Sequence, residues 1–234
     1  MLWAVMLAAR IDRMADAAFP PARREEVGGW VLRADVSEHR RSRSVWPRAS
    51  DRGAVEDRLA RVEEWYAELG LPSRFQVTPA SQPAGLEALL DARGYAVDGP
   101  SAVWVGDLAS LAAAAGDVAI ADRPDERWLR ISGGDAVVLE RVRVPCAYAR
   151  SEVAAGRGAL AGTWLGIYEL ATLPEARRRG AATAIVGALA AWGLARGARR
   201  AYMLVTEDNL PAHALYARLG FRRAYRYSYR VLDR

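Results

Sequence analysis

The residues best suited to chemistry lie in one stretch, Glu169-Leu170-Ala171-Thr172-Leu173-Pro174-Glu175-Ala176-Arg177-Arg178-Arg179-Gly180-Ala181-Ala182-Thr183. Three arginines are followed by a glycine and two alanines. Small residues let a bound anion approach the backbone, and the first N–H groups of a helix have no partner within it. The helix dipole adds partial positive charge at the same place. The chemistry expected of this turn is to hold a phosphate or pyrophosphate. A basic turn ahead of an Ala-rich helix also occurs on ordinary protein surfaces, so the turn needs support from its surroundings.

The surrounding sequence supplies elements that would position it. A strand is expected over 163–172. A helix is expected over 178–196, with Ile185, Leu189 and Trp192 on one face, closed by Gly197. A strand over 200–206 follows, rich in apolar and aromatic residues. Then come a loop from Glu207, a short helix with Pro211 near its start, and a stop at Gly220.

Here the chain resembles the GNAT superfamily, the acyl-CoA-dependent N-acyltransferases. The resemblance rests on Arg177-x-x-Gly180-x-Ala182 and Asn209-x-x-Ala212-x-x-Leu215-Tyr216-x-x-x-Gly220-Phe221. Both stand in the family's order with a helix and a strand between them. The likeness is clear over 163–225 and extends weakly to the C-terminus. It implies a GNAT-like α/β fold with a mixed sheet, acetyl-CoA as acyl donor, and a primary amine of a small molecule or peptide as acceptor. Arg177, Arg178, Arg179, Gly180, Ala181, Ala182 and Thr183 would hold the pyrophosphate. The main chain of Leu170, Ala171 and Thr172 would run along the pantetheine and thioester, at a strand edge left free by a bulge or splay. Asn209 would bond the pantetheine arm or cap the helix that follows it. Tyr216 matches the position that in many family members protonates the departing thiolate, a step a phenol with pKa about 10 suits. The alternative for Tyr216 is ring packing with its hydroxyl on a carbonyl.

For the general base Glu169 is favoured, with Glu207 and Asp208 as alternatives acting through water. His213 reads as a surface histidine at a variable position of the motif. His39, amid Arg40, Arg41 and Arg43, reads as part of a solvated, charged strand edge. No His/Cys/Asp cluster has metal-ligand spacing, and no metal is expected.

All 33 basic residues other than histidine are arginine, with no lysine, and the net charge is +5. Codon bias accounts for the arginine; the charge suits an acidic ligand such as CoA. Nucleic acid is the competing partner. The arginines are scattered, however, and no helix-turn-helix, zinc-finger or RRM pattern is present. One cysteine, Cys146, excludes an intramolecular disulfide and is expected to be a small buried residue. The apolar start, 1–9, is too short to span a membrane and lacks the basic region of a signal peptide. It is expected to be a packed first helix or strand of a cytoplasmic protein.

The first half reads as a worn copy of the second. Strands are expected over 29–35, 41–46, 74–78 and 102–105, and helices over 53–69 and 83–93. The order helix, strand, helix, Gly-aromatic, strand then occurs twice, with Gly94-Tyr95 answering Gly220-Phe221 and Leu90 standing where Tyr216 stands. No Arg-x-x-Gly turn precedes the first helix. The expectation is a tandem: a degenerate GNAT-like domain, 1–110, and an intact one, 117–234, joined by a short helix or loose connector over 108–116. In the second unit a strand is expected over 117–121, a helix over 124–131, a strand over 136–144, helix or loop over 148–156, and strand or hairpin over 158–162. A rival to catalysis is a non-catalytic acyl-CoA-binding module with a protein partner.

Overall fold

The computed structural model describes residues 2–51, 53–112 and 117–233. In chain order the elements are α1 Leu2–Ala18, β1 Arg23–Val27, β2 Trp30–Ala34, α2 Val55–Glu68, β3 Ser73–Val77, α3 Leu86–Ala92, β4 Ala96–Asp107 and α4 Leu108–Ala112. They continue with β5 Ala119–Ala121, α5 Glu126–Ser132, α6 Ala136–Arg141, β6 Cys146–Arg150, β7 Ala154–Ala161 and β8 Trp164–Thr172. The last are α7 Ala181–Leu194, β9 Arg200–Thr206, α8 Leu210–Arg218 and β10 Arg222–Leu232. Short 3-10 turns lie at Arg40–Arg43 and Pro174–Ala176. The chain divides into two compact units, Met1–Ser101 with Tyr225–Arg234, and Ala102–Ala224. The expected linker therefore starts inside the second unit, its residues 113–116 lie outside the described ones, and the C-terminal residues return to the first unit.

In the first unit β1 and β2 form an antiparallel hairpin turned by Gly28 and Gly29, both at positive φ, as a two-residue hairpin loop requires. β3 pairs antiparallel with the C-terminal part of β10. Its core gathers Trp30, Leu32, Leu59, Val62, Tyr66, Phe75 and Leu90. The strand expected over 41–46 is reduced to two isolated bridges, Val45 with Phe75 and Trp46 with Val31, and 41–44 form no strand. Arg41, Ser42 and Ser44 are buried there as polar groups. The buried Arg33 guanidinium donates to the Ser44 carbonyl, and the Ser44 hydroxyl donates to the Arg41 carbonyl. These local bonds offer the backbone an alternative to a ladder. His39 stacks on Phe19, ring centroids 4.1 Å apart, in place of the expected strand edge.

In the second unit the strands run in the order β4-β9-β8-β7-β6-β5. β5 to β8 are antiparallel neighbours, and β8 and β9 are parallel. α7 lies on this sheet through Ile185, Val186, Leu189 and Ala190. Gly156 and Gly158 of β7 make room for it: a Cβ on Gly156 would come within 2.9 Å of Ile185, and one on Gly158 within 3.2 Å of Leu189.

Two expectations fail here. Within 136–144, Ala136–Arg141 form a helix, because Asp135 caps it by accepting from the N–H groups of Val137 and Val138. Within 148–156 only 151–153 are a turn, and the rest belong to strands β6 and β7; their alanines and glycines disfavour a strand by propensity, but the pleat under a close helix requires small residues. The first element is also longer than expected, a helix through Ala18. The helix–strand–helix–Gly–aromatic order is present in both units. α3 and α8 end alike, with the Tyr95 and Phe221 N–H groups donating to the Leu90 and Tyr216 carbonyls at 3.0 Å.

Candidate active site

The centre of the site is a parting of two strands. β8 and β9 pair from Trp164 with Arg200 to Ile167 with Met203. Beyond that point β8 continues to Thr172 and β9 to Thr206 without further pairing to each other among the described residues. On the other edge of β8 the register to β7 shifts between Ala155 and Arg157, so Gly156 stands against both Glu169 and Leu170. This is a β-bulge, and Glu169 carries it at φ +46, a left-handed conformation uncommon for a non-glycine residue. Leu170, Ala171 and Thr172 follow, half-buried, with the edge facing away from β7 paired to no strand among the described residues.

The expected anion turn adjoins this opening. Arg177, Arg178 and Arg179 are exposed and have no carboxylate partner among the described residues; Arg177 reaches the Thr172 carbonyl at 3.4 Å. Arg178 and Gly180 have positive φ, +62 and +85. Gly180 is the N-cap of α7 and supplies no side chain to its first N–H groups. The N–H groups from Gly180 to Thr183 are thus open at the positive end of a 14-residue helix.

The carboxylates expected as bases are mostly committed. Glu169 is held at two points by Arg157, Nε to Oε2 at 2.7 Å and Nη2 to Oε1 at 3.0 Å. The Arg157 guanidinium is wholly buried; burial by itself would lower its pKa, and the Glu169 carboxylate more than offsets this, holding it above the usual arginine value. Glu207 is paired with Arg223. Asp208 is exposed and has no ion-pair partner among the described residues. Asn209 is the N-cap of α8, its side chain accepting from the Ala212 N–H at 3.1 Å.

Tyr216 is buried against Trp104 and Phe221. Burial pushes its phenol up to about 12. Its hydroxyl makes no hydrogen bond among the described residues. His213, expected on the surface, is half-buried with both ring nitrogens engaged. Cys146 is half-buried on β6, its thiol pushed up by desolvation. Among the described residues no group of three or more His, Cys, Asp or Glu could hold a metal, and no helix is long and apolar enough to cross a membrane.

Comparison with known proteins agrees with this geometry. The family described as "Probable histone acetyltransferase Rv0428c C-terminal" matches residues 9–230, and the chain belongs to that family. The "Uncharacterized N-acetyltransferase YobR" of Bacillus subtilis (strain 168) is 27% identical over 95% of this chain and 97% of its own length. A "GCN5-related N-acetyltransferase from Kribbella flavida" has the same fold, with TM-score 0.70, 19% identity, and coverage of 96% of this chain and 95% of that one. A "Tandem GNAT protein from the clavulanic acid biosynthesis pathway (without AcCoA)" superimposes with TM-score 0.63 and 16% identity over 95% of this chain and 87% of that one. The protein is a member of the GNAT superfamily with a mixed α/β fold, and its relatives are named as acetyltransferases.

Proposed function

We propose that this chain is an N-acetyltransferase that takes its acyl group from acetyl-CoA and transfers it to a primary amine. The observation that carries the reading is the junction of three features: the parted β8 and β9, the uncapped N-terminus of α7, and three arginines with no carboxylate partner among the described residues. The fit is chemical. A pyrophosphate needs N–H donors and positive charge with no side chain in the way, and Gly180 to Thr183 offer that. Bound acetyl-CoA supplies the activated acyl group. Arg177, Arg178 and Arg179 hold its phosphates, and the free edge of Leu170 to Thr172 lines its arm. Tyr216, protonated throughout the neutral range, donates a proton to a leaving thiolate. Asp208 is the carboxylate left to accept the amine proton through water. Glu169 serves the site by shaping the bulge.

The acceptor class is a small molecule or a peptide. The family description, which names a histone acetyltransferase, adds weight to a lysine-bearing peptide. The similar C-caps of α3 and α8 support a tandem origin, with a first unit that has lost the arginine turn. The test is calorimetric titration with acetyl-CoA. Wild type should bind, and Arg177→Ala with Arg178→Ala should weaken binding by about 10-fold or more, since charge-assisted contacts contribute ~1.5–3 kcal/mol each. A screen of polyamines, aminoglycosides and lysine peptides then follows. No binding by wild type would remove the acyltransferase reading.

A further inference from the structure

The Trp104 indole N–H donates to His213 Nδ1 at 3.1 Å. An indole nitrogen is a donor only, so Nδ1 must be bare. The neutral imidazole then carries its proton on Nε2, which lies 3.1 Å from the Thr206 carbonyl and donates to it. One tautomer thus satisfies three groups from three elements. Thr206 is the last residue of β9, past the point where that strand leaves β8. Trp104 belongs to β4, and its ring packs against both His213 and Tyr216. His213 and Tyr216 lie three residues apart, one helical turn, on α8.

The Tyr216 hydroxyl has no hydrogen bond of its own among the described residues. Where it points is therefore set by ring packing and by where α8 sits. We propose that His213 is a positioning residue: its Nε2–H tautomer clamps α8 between the free end of β9 and Trp104, and so aims the Tyr216 hydroxyl into the opening between β8 and β9. The proposal rests on the reading of Tyr216 as the proton donor.

The test uses the whole chain labelled with 15N-histidine and 13Cζ-tyrosine, with CoA as the probe. One imidazole should show a bare Nδ1 and a protonated Nε2, and should vanish in His213→Leu. The Tyr216 signal, assigned through Tyr216→Phe, should move when CoA is added to wild type. It should move equally in His213→Gln, whose amide keeps one acceptor and one donor. In His213→Leu it should fail to move, although CoA binds within about 3-fold of wild type. With an acceptor in hand, His213→Leu should lower kcat by about 10- to 100-fold. The double variant with Tyr216→Phe should be no worse than Tyr216→Phe alone. A protonated Nδ1 in wild type, an unchanged Tyr216 response in His213→Leu, or additive losses would each overturn the proposal. A wild-type Tyr216 signal indifferent to CoA would instead overturn the proton-donor reading and the aiming role with it. The His213 spectrum would then still report whether the clamp itself exists.

Discussion

Arg157 and Glu169 are joined at two points across β7 and β8, so the carboxylate nearest the expected thioester position is already engaged on both oxygens. Arg157 also lies 5.1 Å from the Tyr168 ring centroid. The pair holds Glu169 in its left-handed conformation and fixes the bulge that frees Leu170 to Thr172. Glu169→Ala should therefore act first on stability. It removes the carboxylate that faces a wholly buried guanidinium, a change that costs about 3–5 kcal/mol. Urea unfolding would read this directly. Replacing both partners, Arg157→Met with Glu169→Leu, should recover part of the loss. A Glu169→Ala protein with wild-type stability and no turnover would make Glu169 the base instead.

Gly156 couples the bulge to the phosphate turn. It stands opposite Glu169 and Leu170 and directly beneath Ile185 of α7. Gly156→Ala places a methyl 2.9 Å from a side-chain carbon of Ile185, so the Ile185 side chain, and α7 with it, is expected to shift. The expected cost is about 1–3 kcal/mol, together with weaker acetyl-CoA binding, because the N-terminus of α7 moves with the helix. Gly158→Ala meets only leucine methyl and methine groups at 3.1 Å or more. It should be milder on both counts. Equal acetyl-CoA affinity in the two variants would show that the turn is indifferent to where α7 rests.

The second half of the chain was more legible than the first, and the reason is local. β9 and α8 are read correctly because apolar alternation, Pro211 and Gly220 all point the same way. The anion turn is legible because glycine and arginine act through the backbone and charge, which need no tertiary context. Residues 41–46 deceived because Arg-Ser-Arg-Ser mimics a strand's period of two, while the structure uses those groups in a buried polar network. Residues 136–144 deceived because β-branched valines outweighed Asp135, whose position before an apolar run was the usable helix-start signal. For the hairpin β1–β2 the usable signal is the Gly28-Gly29 pair. The roles of Glu169 and His213 were beyond reach. Glu169 depends on Arg157 of the neighbouring strand through a register shift that the local pattern does not show, and His213 on Trp104, far along the chain.

Asn209 separates two duties that coincide in one side chain. As N-cap of α8 it accepts from the Ala212 N–H. Asn209→Ala should cost about 1 kcal/mol of stability, and Asn209→Asp should restore it. If the amide also donates to the arm of acetyl-CoA, the aspartate variant keeps its melting temperature and loses affinity in calorimetry. If the cap is its whole role, the aspartate variant binds as wild type does.

Tyr216 makes the last prediction through its proton. Burial holds its pKa at about 12, against about 10 in an unfolded chain. Below pH 10 both states keep the proton and this group contributes no pH dependence. Between 10 and 12 the unfolded chain ionises while the native one does not, so native stability falls as pH rises through that window. The slope from one such phenol is at most about 1.4 kcal/mol per pH unit. Tyr148, pushed to about 12, and the buried Tyr66, Tyr95 and Tyr229, raised still further, add in the same direction. Urea midpoints measured from pH 8 to 11 should be flat at first and then drop, and Tyr216→Phe should make the drop shallower. The same shift means that loss of Tyr216's proton cannot limit turnover near pH 9. An alkaline limb at that pH that disappears in Tyr216→Phe would show a phenol far more acidic than its burial allows.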